Sequence, residues 1–144
     1  MESGGVRRRF EAYAELTRDI QNQIDRIERL EAEALAPSAP SLDGMPRGQG
    51  VPGDRVGRAV ALLDQLRETV RGMVAAEAAE RAALEAVMAP LSAREKSVLR
   101  AHYLDGMDWD DMEDVVRMTD RGSRGVAKRA FEKLERGNGY EEAT

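Results

Sequence analysis

Two long amphipathic segments, separated by a stretch rich in proline and glycine, restrict this chain to a helical fold. In the first segment, one side of the predicted helix is marked by residues at alternating steps of three and four, which is heptad-like spacing. Charged and amide side chains fill the other faces, so this stripe must pack against another element. The stripe runs through Phe10, Tyr13, Thr17, Ile20, Ile24 and Ile27 and continues at Glu31 and Ala34.

Residues 37–53 interrupt the helical pattern with four of the five prolines and four glycines, which predicts a surface linker. A second long helix is predicted from an N-cap at Asp54 to about Met88. At 1.5 Å per residue the two helices would be on the order of 45 and 50 Å long, matched well enough to lie antiparallel. The second stripe consists of Val56, Ala59, Leu63, Leu66, Val70 and Met73, a polar gap at Glu77 and Glu80, and then Leu84 and Val87.

Residues 1–88 are therefore predicted to form an antiparallel, coiled-coil-like helical hairpin that contains the linker. In one interpretation the two stripes bury each other within the hairpin. In the other, two helices are too few to bury both stripes, and a second copy of the chain or another partner covers the remainder, which makes the hairpin a candidate site of homo-oligomerisation.

The segment 89–136 is predicted to form three short helices, with a disordered tail at 137–144. A tight turn joins the last two helices, which is typical of a helix-turn-helix module. The local signals are, in chain order, a break at Ala89–Pro90, a capping box of Ser92 and Glu95, a turn at Asp105–Gly106, a helix start at Asp108, a break at Arg117–Thr119 and a helix end near Arg136–Gly137.

The composition argues against an enzyme. The chain has no cysteine, which excludes disulfides, thiolate zinc sites, iron-sulfur clusters and cysteine nucleophiles. Its single histidine, His102, is expected at the surface or boundary of a helix rather than in catalysis. We predict no catalytic residue, no metal and no cofactor. The sequence also lacks a signal peptide and a membrane-spanning stretch, so we expect a soluble, cytoplasmic protein that makes no membrane contact.

Charge is distributed unevenly around the predicted module. Residues 105–114 carry six acids and no base, whereas residues 117–136 carry seven bases against three acids. The acidic run has three interpretations: a solvated face, a surface that keeps the first helix away from DNA phosphates, or a contact surface for a basic patch on a partner. The basic segment coincides with the last helix. The role of these cations therefore depends on which face of the helix they occupy.

The spacing within the last helix separates a core face from an outer face. Ser123, Ala127, Ala130 and Leu134 recur at steps of four, three and four and are predicted to face the core. The outer face then carries Arg121, Gly125, Lys128 and Arg129. Two explanations remain for the glycines Gly122 and Gly125: close approach of the backbone to DNA, or a longer turn with the helix beginning at Ser123.

The segment Leu91–Leu134 resembles the fourth region of bacterial sigma factors, a helix-turn-helix that reads promoter DNA. Three positions differ from that pattern: Glu113 replaces a small residue, Arg117 replaces the turn glycine, and Ser123 replaces a buried valine. The landmarks that carry the resemblance are Leu91, Val98–Leu99, Tyr103–Leu104, Asp105–Gly106, Trp109, Asp111–Met112, Val115–Val116, Met118–Thr119, Ala130 and Leu134.

The layout of the whole chain is similar to that of small prophage-encoded proteins related to the autolysin-regulatory late-gene activators of Gram-positive phages. This resemblance implies a DNA-binding transcriptional regulator with double-stranded DNA as its partner and RNA polymerase as a second one. The alternative is a non-enzymatic protein-interaction module in which the helix-turn-helix no longer binds DNA. The residues expected to contact DNA are Arg117, Thr119, Arg121, Arg124, Gly125, Lys128 and Arg129.

Overall fold

The computed structural model describes residues 4–35 and 52–143, and within these ranges the regular structure is entirely helical, as predicted. Between the third and fourth helices, a π-helical turn continues the third helix and a short 3₁₀ turn precedes the fourth. The helices are α1 (Gly5–Leu35), α2 (Pro52–Val87), α3 (Ala93–Leu99), α4 (Met112–Val116) and α5 (Asp120–Ala143), the π-helical turn is Arg100–Leu104, and the 3₁₀ turn is Trp109–Asp111.

Two helix ends differ from the sequence prediction. The predicted N-cap at Asp54 is wrong, because α2 begins at Pro52, and proline suits the first helical turn since it has no N–H to leave unpaired. α5 continues to Ala143, past the predicted end near Arg136, and so occupies residues that were predicted to be a tail. Most of the predicted linker, residues 37–51, lies outside the described residues.

The chain divides into two compact units. The first unit comprises Met1–Thr17 and Ala76–Thr144, and the second comprises Arg18–Ala75. The outer ends of both long helices therefore belong to the same unit as the C-terminal module, whereas the sequence pattern placed a boundary between residues 88 and 89.

The core of the first unit is organised around three aromatic rings. Phe10 on α1 is fully buried, and its ring centroid lies 6.0 Å from that of Tyr103 and 5.4 Å from that of Phe131. The Tyr103 and Phe131 centroids are 5.3 Å apart. All three pairs meet edge to face, the arrangement that aligns the positive ring edge with a negative ring face. The cluster joins α1, the π-helical turn and α5.

Polar contacts at the edge of this core connect the same elements. The carboxylate of Glu135 on α5 accepts hydrogen bonds from the backbone N–H of Val6 at 2.6 Å and of Arg7 at 3.3 Å. It thereby satisfies free N–H groups in the first turn of α1. The Arg9 guanidinium on α1 donates to both oxygens of Glu80 on α2, at 2.7 and 3.0 Å. These bonds set the position of the α1 N-terminus within the first unit.

The predicted capping box at the start of α3 is confirmed. The Ser92 Oγ accepts from the Glu95 N–H at 3.2 Å, and the Glu95 carboxylate accepts from the Ser92 N–H at 2.9 Å. Glu95 also pairs with Lys133 of α5 at 2.9 Å. The backbone hydrogen bond from Ser92, followed by the bond from Lys133, lowers the pKa of Glu95.

In the second unit, residues 18–35 of α1 and 52–75 of α2 pack through a small apolar core. Ile20, Ile27 and Leu63 are buried there, and Arg67 forms an ion pair with Glu31. Several aliphatic side chains of the predicted α2 stripe are only half-buried, and Val56 is exposed.

Phe10→Ala is expected to lower the free energy of unfolding by about 3–5 kcal/mol, because it removes the central ring of the aromatic cluster and leaves a cavity. Urea denaturation followed by circular dichroism measures this loss. Val115→Ala, at an exposed valine of the same unit, is the matched control and is expected to change stability by less than about 0.5 kcal/mol. Equal effects of the two substitutions would contradict the proposed core.

Acidification is expected to destabilise the first unit in part through Glu95. The pKa of Glu95 is lowered in the folded protein from 4.5, so its contribution is fully present above that value and is lost as the pH falls through the folded-state pKa. Glu95→Gln retains an amide that can complete the capping box but does not titrate. Unfolding free energies measured across acidic pH should therefore depend less steeply on pH in this variant, and an unchanged slope would contradict the prediction.

Candidate nucleic-acid interface

A three-residue turn, Arg117–Thr119, joins α4 to α5. Arg117, directly after α4, adopts the left-handed conformation with φ 58° and ψ 42°, at the position where the sigma-factor pattern has glycine. This conformation costs a non-glycine residue roughly 1–2 kcal/mol. Thr119 then caps α5, since its Oγ1 accepts from the Gly122 N–H at 3.0 Å. The predicted break at Arg117–Thr119 is confirmed.

The two other departures from the family pattern have different structural outcomes. Glu113 is exposed, so its side chain does not lie between α4 and α5. Ser123 is fully buried, as its position predicts, and its Oγ has no hydrogen-bond partner in the described part of the chain. An unsatisfied buried hydroxyl of this kind costs about 1–3 kcal/mol.

The core face of α5 agrees with the helical spacing. All four predicted core residues, Ser123, Ala127, Ala130 and Leu134, are buried. Val126 and Phe131 are buried as well, which the four-residue pattern did not include. The core side of α5 is therefore wider than predicted, and Phe131 extends it to the aromatic cluster.

The opposite side of α5 presents positive charge. Arg121, Arg124 and Lys128 follow one another at steps of three and four, with Arg129 beside them, and all four side chains are exposed. We call these four residues the basic face. Gly125 lies among them, half-buried. Arg117 and Thr119 are exposed in the preceding turn, so all seven residues expected to contact DNA occur in the turn and the exposed part of this helix.

The cations of the basic face differ in their local partners. The Arg124 Nε lies 2.5 Å from the Asp120 carboxylate, and its guanidinium is 5.7 Å from the centroid of the Trp109 ring. Arg121 and Lys128 form no ion pair within the described residues. Arg124 is therefore held against the protein, whereas Arg121 and Lys128 are directed to solvent and available to an anion.

The stacked rings of His102 and Trp109 lie next to Arg124 of the basic face. The Trp109 ring lies over His102, with centroids 3.8 Å apart and an interplanar angle of 19°. The His102 Nδ1 is 2.7 Å from the Met107 carbonyl oxygen. Trp109 is half-buried, with His102 stacked on its ring and the Arg124 guanidinium close to the ring centroid. Sequence spacing carried no signal for this contact, since it depends on how the chain turns at Gly106.

The acidic run extends from the end of the π-helical turn, through the 3₁₀ turn, into α4. Asp105 forms an ion pair with Arg81 at 2.8 Å. Asp108 occupies the N-cap position of the 3₁₀ turn, with no hydrogen bond from its side chain to the backbone there. No group of three or more histidine and carboxylate side chains in the described ranges could hold a metal ion. The remaining exposed acids of the run are Asp110, Asp111, Glu113 and Asp114.

Comparison with known proteins gives no relative: no protein-family model, no curated protein and no solved structure matches this chain. Among the described helices, none combines the length and apolar character needed to cross a membrane.

Gly125→Ala is expected to raise the free energy of unfolding by about 0.5–1 kcal/mol, because Gly125 lies inside α5 and alanine is the better helix former. α5 begins at Asp120, and Gly106 is the one glycine in the described ranges with positive φ, so the longer turn weighed for residues 119–122 is not formed. A Cβ at Gly125 would approach only the flexible Arg129 side chain, at 3.5 Å.

Gly122→Ala is the matched comparison for this prediction. Its Cβ would lie 3.1 Å from the Thr119 Oγ1, which must then move away from its capping hydrogen bond. We expect a smaller gain than at Gly125, or a loss. Thermal unfolding of both variants measures the difference, and a fall in stability at Gly125 would contradict the prediction.

Proposed function

We propose that the protein is a DNA-binding transcriptional regulator that places the basic face of α5 in the major groove of double-stranded DNA. The observation that carries the proposal is the exposure of Arg121, Arg124, Lys128 and Arg129 along one side of a helix that follows a helix-turn-helix turn. The resemblance to the fourth region of sigma factors, and to phage late-gene activators in layout, points to the same function.

The chemistry of the basic face suits this role. An arginine directed away from the protein can donate two hydrogen bonds to the O6 and N7 atoms of guanine, which specifies a base pair. Lysine acts as a point charge and contacts phosphates, which positions the protein without selecting a sequence. Because Arg121 and Lys128 lie seven residues apart on α5, about 10 Å along the helix, both can meet one groove.

Gly125 contributes to the same interface because it has no side chain. It is one turn from both Arg121 and Arg129, and without a Cβ it lets the helix backbone come closer to the groove. Thr119 and the N-terminus of α5 add hydrogen-bond donors for a phosphate. The exposed acids on α4 restrict how the module docks, because they repel the phosphates on that side.

Binding to duplex DNA should fall steeply with salt, because each neutralised phosphate releases counterions.

We expect Arg121→Ala to weaken binding to duplexes selected from a random pool by about 1–3 kcal/mol and to relax the sequence preference of the protein. Lys128→Ala should weaken binding to all sequences alike and reduce the salt slope by about one. Gly125→Ala should weaken DNA binding even though it stabilises the fold. Fluorescence anisotropy with labelled duplexes measures all three.

Arg29→Ala is the matched control, since Arg29 is an exposed arginine on α1 in the second unit. It should leave DNA binding unchanged. If Arg121→Ala and Lys128→Ala behave like this control, or if no salt-dependent binding is found, the DNA function is wrong. The module would then act through protein contacts, with the exposed acids of α4 meeting a basic surface such as one on RNA polymerase.

A further inference from the structure

One side of α2 in the second unit carries large aliphatic side chains that α1 leaves uncovered. Val60 is 49% exposed and Val74 is 44% exposed. They are separated by fourteen residues, two heptads, so they lie on the same side of the helix about 21 Å apart. Isolated exposed aliphatic residues are ordinary, but two at this spacing on one long helix define a stripe.

This stripe arises because the apolar face of α2 is wider than one helix can cover. At 100° per residue, Val74 lies about 40° and Val60 about 80° around the helix from Val70. Val70 and Leu63 point toward α1 and are half-buried and buried, respectively. The valine stripe is therefore the edge of the α2 apolar face that extends beyond its contact with α1.

Two opposite charges lie along the same stripe. Asp64 and Arg71 occur between the two valines, and their side chains are 72% and 69% exposed. Along the sequence, the midpoint between Val60 and Val74 is Arg67. The midpoint between Asp64 and Arg71 falls between Arg67 and Glu68. Both pairs thus share nearly the same midpoint.

A common midpoint makes the stripe complementary to an antiparallel copy of itself. When two such helices pair about Arg67, Val60 of each chain meets Val74 of the other, and Asp64 of each meets Arg71 of the other. Arg67 lies at the centre and is already paired with Glu31 of its own chain. The two central arginines are therefore neutralised before they approach each other.

We propose that the protein forms a two-fold symmetric homodimer in which the α2 helices pair antiparallel through this stripe. A two-fold axis repeats every contact, so the interface contains one Val60–Val74 contact on each side of its centre and two Asp64–Arg71 ion pairs. A foreign partner would have to supply the same alternation of apolar and charged groups, whereas a second copy supplies it by symmetry. The proposal does not depend on DNA binding.

Sedimentation equilibrium of the full chain, without DNA, tests the assembly. We expect twice the chain mass of 15.9 kDa, dissociating on dilution. Asp64→Arg alone or Arg71→Asp alone places like charges opposite each other and should raise the dissociation constant about tenfold. The double variant Asp64→Arg/Arg71→Asp restores opposite charges and should dimerise nearly as well as the original chain. Circular dichroism verifies that each variant keeps its helix content.

Single cysteines test the pairing of the helices, and the absence of native cysteine makes them unique reporters. Val60→Cys and Val74→Cys are small changes that should preserve the fold. A mixture of the two chains is expected to form a disulfide between them under mild oxidation, more efficiently than either chain does alone. Val115→Cys, at a valine 57% exposed in the first unit, is the control and should not cross-link with either.

Three results would overturn the proposal. One is a single-chain mass at every concentration, whether or not another protein binds the stripe. Another is failure of the double charge reversal to restore assembly in a chain that retains its helix content. The last is cross-linking of the cysteine at position 115 as efficient as that of the mixed pair. None of these results bears on DNA affinity, which the basic face determines separately.

Discussion

The edge-to-face contact among Phe10, Tyr103 and Phe131 is the interaction on which the first unit depends. It brings together residues from α1, the π-helical turn and α5, which lie far apart in the sequence. By burying Phe131, it also fixes the rotation of α5 about its own axis. The opposite side of that helix must then face solvent, and that side carries the basic face. A core contact thus determines which cations are available to a ligand.

Helical periodicity predicted part of the buried surface of the helices. It placed Ser123 and Ala130 in the core but left out Val126 and Phe131, and the capping signal at Ser92 was equally local. Periodicity does not identify the partner of a buried side. Phe10 and Phe131 are separated by most of the chain, so the sequence carried no signal that the outer ends of the long helices belong with the C-terminal module.

The sequence predicted which cations of α5 are exposed, but not which of them are already paired within the protein. The helical faces identified the exposed cations, yet they did not separate Arg124, which is held by Asp120 and Trp109, from Arg121 and Lys128. The Asp120–Arg124 pair has the four-residue spacing of a helical ion pair, so that part was accessible from sequence. The stacking of Trp109 on His102 was not, because it follows from the path of the backbone around Gly106.

The π-helical turn at Arg100–Leu104 makes the number of residues in this segment matter as well as their identities. Its hydrogen bond from the Asp105 N–H to the Arg100 carbonyl, at 2.8 Å, spans five residues instead of four. Such a turn accommodates one residue more than a regular helix. Deleting one residue would restore the regular repeat and rotate the chain that follows by about 100°, carrying Trp109 away from His102. The segment is therefore constrained in its length as well as in the residues that it carries.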